Sequence, residues 1–397
     1  MTAVFTGLGV VAPNGLGTEE YWKATCAGEG GIGPVRRFDA SGYPARLAGE
    51  VPGFEAADHL PSRLLPQTDH MTRLALVAAD WAIADAGAGS PEMGVVTAAS
   101  GGGFEFGQRE LQNLWSKGSE YVSAYQSFAW FYAVNTGQIS IRNGLKGPGG
   151  VIVADQAGGL DAIAQARRQL RKGSEMMLTG GVDGAICPWG WVAQQARLSV
   201  GDDPSTAYLP FDVRAAGHVA GEGGAMLVLE DAAAARARGA HGYGALAGYA
   251  ATFDPKPGLG REPGLRRAIV NALLDARIEA DAVDVVFADA AATPELDAVE
   301  AEAITAVFGP YGVPVTAPKT MTGRLNAGGA PLDVATALLA LRDGVIPPAT
   351  NTELAPRYRL DLVTTAREAP VRTALVLARG HGGFNSAAVV RLDWEEH

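Results

Sequence analysis

Two stretches far apart in the chain read alike, and that repetition restricts the available folds more than any other feature. MTRLALVAADWAIADAGAGSPEMGVVTAAS (71–100) reads as helix, loop and buried strand, and LRRAIVNALLDARIEADAVDVVFADAAAT (265–293) reads the same way at similar lengths. Further along each half the order recurs. AGGLDAIAQARRQLRKG (157–173) is matched by AGGAPLDVATALLALRDG (327–344), each with a small-residue turn, a Leu-Asp pair and an arginine-bearing helix end closed by glycine. FTGLGVVAPNG (5–15) and GALAGYAATFD (244–254) supply a third pair. The shared order of the three echoes predicts a duplicated α/β unit. Its halves, 1–237 and 238–397, join near the Ala-rich helix DAAAARARGAHG (231–242). Generic alternation of strands and helices within a single domain is the alternative. Buried strands such as VVFAD and ALVLA favour mixed sheets with helices on both faces.

Within the first half, VADQAGGLD (153–161) has the form of a reactive site without its reactive atom. Val151 to Ala154 reads as a short buried strand, Ala157 to Gly159 as a sharp turn, and the following helix runs to a stop at Gly173. A strand, tight turn and helix hold a nucleophile where the helix dipole and free N–H groups favour negative charge. The residue at the bend is Gln156, whose carboxamide neither ionises nor attacks. A neutral amide there can instead accept backbone N–H bonds and stay satisfied when buried.

The 397 residues suffice for one large domain or two fused ones, and no window reaches the ~18 uninterrupted apolar residues of a membrane span. The opening MTAVFTGLGVVAPNG has no basic segment and breaks at Gly7, Gly9 and Pro13, unlike a signal peptide. Two cysteines, Cys26 and Cys187, form neither a disulfide framework nor a metal spacing, which fits a cytoplasmic protein. Net charge −11 argues against non-specific nucleic-acid binding. GLGVVAPNG fails the G-x-G-x-x-G spacing of a dinucleotide loop, leaving a nucleotide-binding α/β protein a remote alternative. Cys187 reads as a packed residue, His218 and His381 as structural or surface residues of Gly-rich loops, and RRQLRK (167–172) as a solvated helix end.

VFTGLGVVAPNG, VADQAGGLD, PFDVRAAGHVAGEGGAMLVLED (210–231), PVTAPKTMTGRLNAGGA (314–330) and GHGGFNSAAVV (380–390) together resemble the β-ketoacyl synthases of the thiolase fold. The resemblance spans essentially the whole chain and implies two duplicated halves in a five-layer α-β-α-β-α architecture. Within that family the chain is most similar to the ketosynthase-like β subunit of aromatic (type II) polyketide synthases, the chain length factor. Gln at the elbow and QSFAWFYAVNTGQISIRNG (126–144) carry the match. A condensing synthase needs a thiolate to take the acyl chain and two imidazoles for decarboxylation and oxyanion stabilisation. By this resemblance the thiol position is Gln156. Asp289, counted back from Asp297 of TPELD, stands at the first histidine position, and Arg324 of KTMTGR at the second. Lys319 and Glu300 are retained, and His381 occupies the slot of a gating Phe.

The resemblance therefore implies no catalytic residues in this chain and no cofactor of its own. Its partners would be an active ketosynthase α subunit, forming a pseudo-symmetric heterodimer, and an acyl carrier protein whose phosphopantetheine holds the substrate. Neither nucleic acid nor membrane is expected. What remains is to shape a tunnel. In GGGFEFGQRELQNLW (101–115), Phe104, Gly107 and Leu111 are three and four apart, so at ~100° per residue they share one helix face. In chain length factors that face looks into the cavity of the growing poly-β-keto chain, and Phe128 and Trp189 fall in segments expected to line it. Glycine at 107 and leucine at 111 leave more room than the larger residues of short-chain members, which implies a C20 or longer product. The rival activity is malonyl decarboxylation for priming, using Gln156.

Overall fold

The computed structural model describes residues 1–393 other than 257 and 259. The first half runs β1 (Ala3–Ala12), α1 (His70–Asp85), β2 (Gly94–Ala98), α2 (Phe104–Lys117), β3 (Gly149–Ile152), α3 (Gly158–Leu170), β4 (Met176–Asp183), α4 (Pro188–Gln194) and β5 (Gly223–Asp231). The second runs β6 (Gly244–Phe253), α5 (Leu265–Ala276), β7 (Val285–Phe287), α6 (Pro294–Phe308), β8 (Pro314–Thr316), α7 (Gly329–Asp343), β9 (Asp361–Leu362), β10 (Thr373–Gly380) and β11 (Phe384–Arg391).

The echoes in the sequence become one topology used twice. β1 and β6 meet antiparallel through Val4↔Ala245 and Phe5↔Gly244. From that seam the strands run outward as β1-β5-β4-β2-β3 on one side and β6-β11-β10-β7-β8 on the other, with β9 beyond β8. In each half the first two joints are antiparallel and the next two parallel. The correspondence reaches single residues. A register shift falls between Phe5 and Gly7 in β1 and between Leu246 and Gly248 in β6. A Cβ at Gly7 would lie 2.2 Å from the Ala82 carbonyl oxygen, and one at Gly248 would lie 2.2 Å from that of Ala272. Each glycine lets a helix, α1 or α5, ride directly on a bulged strand.

α1 covers the outer face of the first half and α5 that of the second, while α3 and α7 pack on each other and reach strands of both halves. The result is five layers: helix, sheet, helix pair, sheet, helix. The middle position explains α7, whose GAPLDVATALLAL is buried at every residue and has no polar stripe. None of the described helices is long and apolar enough to cross a membrane.

Two sequence expectations need correction. The strand expected at Val151 to Ala154 ends at Ile152, and it is not buried: β3 is the last strand of the sheet, and Val153 just beyond it is 50% exposed. An apolar run does not distinguish an interior strand from an edge whose neighbour is another chain. RRQLRK is solvated only in part. Arg168, Arg171 and Lys172 are exposed, but Arg167 is buried and pairs with Asp275, tying α3 to α5 across the two halves.

Candidate functional site

The elbow lies between β3 and α3. Asp155 takes a left-handed φ of 51°, an uncommon conformation for a residue with a side chain, and the chain then makes one 3-10 turn through Gln156 into the helix. Gln156 is buried, yet no side chain caps the start of α3, so the amide does not play the capping part the sequence suggested. Its Oε1 would instead sit 3.4 Å from a Cβ at Gly329, the first residue of α7, and it faces a cavity. That cavity, about 260 Å³, is also lined by Asp155, Arg197, His218, Asp289 and Arg324.

Asp289 and Arg324 are locked to each other. Arg324 Nη2 donates to Asp289 Oδ1 at 2.8 Å, and Nη1 donates to Oδ2 at 3.1 Å and to the Asp289 carbonyl at 2.8 Å. The Arg379 backbone N–H is a third donor to this carboxylate, reaching Oδ1 at 2.9 Å. Both side chains are buried. Burial alone would raise the Asp289 carboxyl, but the charges of Arg324 and Lys319 hold it below its ordinary range. His218 is pushed down to about 3 by burial and then by the charges of Arg324 and Arg197, so it is neutral at physiological pH. The elbow therefore offers no nucleophile, and the fork of Arg324 is spent on its own carboxylate.

The two retained residues act on the backbone of the same loop. Glu300 accepts the Asp289 and Ala290 N–H groups at 2.7 and 2.9 Å. Asp297, beside it on α6, accepts those of Phe211 and Ala292 at 2.7 and 2.9 Å. Burial, and after it the Asp289 charge, pushes these carboxyls up to about 7 and about 6 respectively. Ala290 and Ala292 have φ of 51° and 58°, a geometry held by these bonds. Lys319 pairs with Asp333 at 2.7 Å and donates to the Ala288 carbonyl. Among the described residues no three His, Cys, Asp or Glu side chains converge as metal ligands would.

A second cavity, about 650 Å³ and mostly apolar, opens beside the strand that leads into the elbow. Phe104 and Trp189 line it with Trp130, Phe131, Tyr132, Val151 and Val153. Their rings meet edge to face with centroids 5.1 Å apart. Gly107 lies beneath: a Cβ there would be 3.0 Å from Trp189 Cζ3. Gly107 itself, Leu111, half-buried on α2, and Phe128, on the short helix Gln126–Ala129, are not among its lining residues. Of the five expected tunnel residues, Phe104 and Trp189 line the cavity, and Gly107 is in contact with Trp189 behind it.

Sequence reasoning missed the supports of α2. Asp69 caps α1 by accepting Met71 N–H at 2.9 Å, and its other oxygen accepts Phe106 N–H in the first turn of α2 at 2.8 Å. Glu105 pairs with Arg37 at 3.2 Å, and Arg37 pairs with buried Glu222. Burial opposes ionisation of Glu222, but His70 and Arg37 hold its carboxyl down at about 2. The Asp before the apolar run HMTRLALVAAD was a readable cap signal; the links to Arg37 and Glu222, distant in sequence, had none.

This degenerate elbow within a doubled five-layer fold places the molecule among condensing-enzyme scaffolds. The chain belongs to the β-ketoacyl synthase family, matching its N-terminal domain over residues 3–235 and its C-terminal domain over 243–353. It is 63% identical over 400 residues to the tetracenomycin polyketide synthase ketoacyl synthase beta subunit of Streptomyces glaucescens, covering 98% of each chain. It is also similar to the solved ishigamide ketosynthase/chain length factor, with TM-score 0.90, 28% identity and 99% of both chains covered. A type II polyketide synthase ketosynthase in complex with its acyl-carrier protein and bound to the hexaketide superposes with TM-score 0.87 at 26% identity, again over 99% of both chains.

Proposed function

We propose that this chain is the non-condensing β subunit of a type II polyketide synthase, built from halves 1–237 and 238–397, the last four residues of which lie outside those described. It pairs in the cytoplasm with an active ketosynthase α subunit, receives substrate on the phosphopantetheine of an acyl carrier protein, and sets poly-β-keto chain length by shaping a tunnel at the dimer interface. The carrying observation is the Asp289–Arg324 pair beside Gln156: in a fold otherwise intact, all three reacting positions hold groups that cannot do the chemistry. Phe104, Gly107 and Trp189 form the tunnel wall, with Leu111 and Phe128 assigned to its extension against the partner. A dry apolar slot of this kind suppresses side reactions of a β-keto chain, and glycine at 107, which lets the Trp189 indole lie back against α2, suits a C20 or longer product.

Decarboxylation at Gln156 would need polar groups for the malonyl carboxylate, and those present are engaged with each other. The test is reconstitution with the α subunit and malonyl-loaded carrier protein. The chain alone should show no turnover and no covalent adduct at residue 156, and the pair should make polyketide. Gly107→Thr with Leu111→Phe should shift the pair's products to shorter chains. Malonyl decarboxylation by the chain alone, or an unchanged chain length in an assembled double variant, would overturn the assignment.

A further inference from the structure

We infer that Gln108 is a positioning residue for chain length, acting through Trp189; the inference rests on the tunnel reading above. The start of α4 leaves backbone N–H groups without helical partners. Cys187, the N-cap, serves one of them: its Sγ accepts Gly190 N–H at 3.5 Å, while its carbonyl takes the first helical bond, from Trp191 N–H at 2.7 Å. Trp189 N–H reaches another element, donating to Gln108 Oε1 on α2 at 2.7 Å. One turn of α2 therefore presents two adjacent features to the same residue. Gly107 is a bare patch on which the indole lies, and Gln108 is an acceptor that fixes the backbone carrying it. Phe104, one turn earlier, closes the ring from the side.

Buried Trp191 anchors α4 from below through its bond to the Ala45 carbonyl, and on the exposed side, where Trp189 is 41% exposed, the Gln108 bond is the polar link between α4 and α2 next to the cavity wall. Without the acceptor, the Trp189 end of α4 loses its polar tie to α2 while Trp191 holds the rest of the helix, so the indole can swing back and the cavity deepens. The effect belongs to the acceptor rather than to side-chain bulk, so glutamate at 108 should preserve it and methionine should not.

The experiment uses the reconstituted heterodimer with carrier protein and reads products by mass spectrometry, with turnover measured separately. Gln108→Met should raise the ratio of longer to parental products about fivefold, the scale of one lost hydrogen bond. Gln108→Glu should restore the parental ratio, and Trp189→Ala should lengthen products at least as much as Gln108→Met. If Gln108→Met fails to assemble, Gln108→Ala, which cannot crowd the site, gives the same reading. Parental products from an assembled Gln108→Met or Gln108→Ala variant, while Trp189→Ala lengthens them, would overturn the role of Gln108 and leave the tunnel reading standing. Parental products from Trp189→Ala as well would overturn the tunnel reading itself. Lower turnover at an unchanged product ratio would mark Gln108 as merely structural and also reject the inference.

Discussion

The Asp289–Arg324 pair is buried, and each partner is the other's main compensation for lost water. Asp289→Asn should therefore cost about 3–5 kcal/mol, because it strands the Arg324 guanidinium in the interior. Asp289→Leu with Arg324→Met should cost less than either single change, since no charge is left behind. The pH dependence follows from the direction of the shift. Asp289 is more acidic folded than unfolded, so the unfolded chain binds its proton first as pH falls. The stabilisation is complete above the unfolded value of about 4 and is lost as pH drops through the folded value, below that. Urea titrations at pH 7 and pH 3.5 should show the gap between the parent and Asp289→Asn narrowing at the lower pH. A gap that widens would mean the carboxylate is not the charged partner.

At the level of elements, one carboxylate governs two helices. Asp69 caps α1 with one oxygen and holds the first turn of α2 with the other, and Gly103 between them has no space for a side chain, whose Cβ would fall 2.7 Å from Asp69 Cβ. Asp69→Ala should cost about 1–2 kcal/mol as a lost cap, and it should speed amide hydrogen exchange at Phe106 and its neighbours more than in α3. Uniform exchange across both helices would show that the bond does not anchor α2. Elements of this kind were only partly legible in the sequence. The two helix–strand echoes, the elbow and the glycine-led helix α2 were readable because they rest on periodicity and turn chemistry, which are local. The edge position of β3 was not readable, because it depends on which strand lies beyond. Nor was the burial of Arg167, which needs Asp275 more than a hundred positions away. The site behaved likewise. The absence of a nucleophile was plain from Gln156, whereas the closed fork of Arg324 on Asp289 and the seat of Trp189 on Gly107 exist only once distant loops meet.

At the scale of the whole molecule, one end of the sheet carries a cluster of exposed apolar side chains. Trp130, Phe131, Tyr132, Val153 and Trp189 are all exposed beside β3, an area in which single chains seldom leave so many aromatics uncovered. Val153→Lys should reduce co-purification with the α subunit about tenfold, equivalent to 1.4 kcal/mol. The lone chain should lose no more than about 0.5 kcal/mol, as expected for an exposed residue. Undiminished pairing would place the interface elsewhere. The opposite end of the sheet is built differently. β9 is only two residues long, and its Asp361 is engaged by both Nη atoms of Arg367 at 2.6 and 2.8 Å. One terminus of the sheet is thus able to add strands and the other is blocked by shortness and charge. A unit with a single growing end terminates on meeting its complement, so assembly by strand addition stops at two subunits and does not run on into a filament.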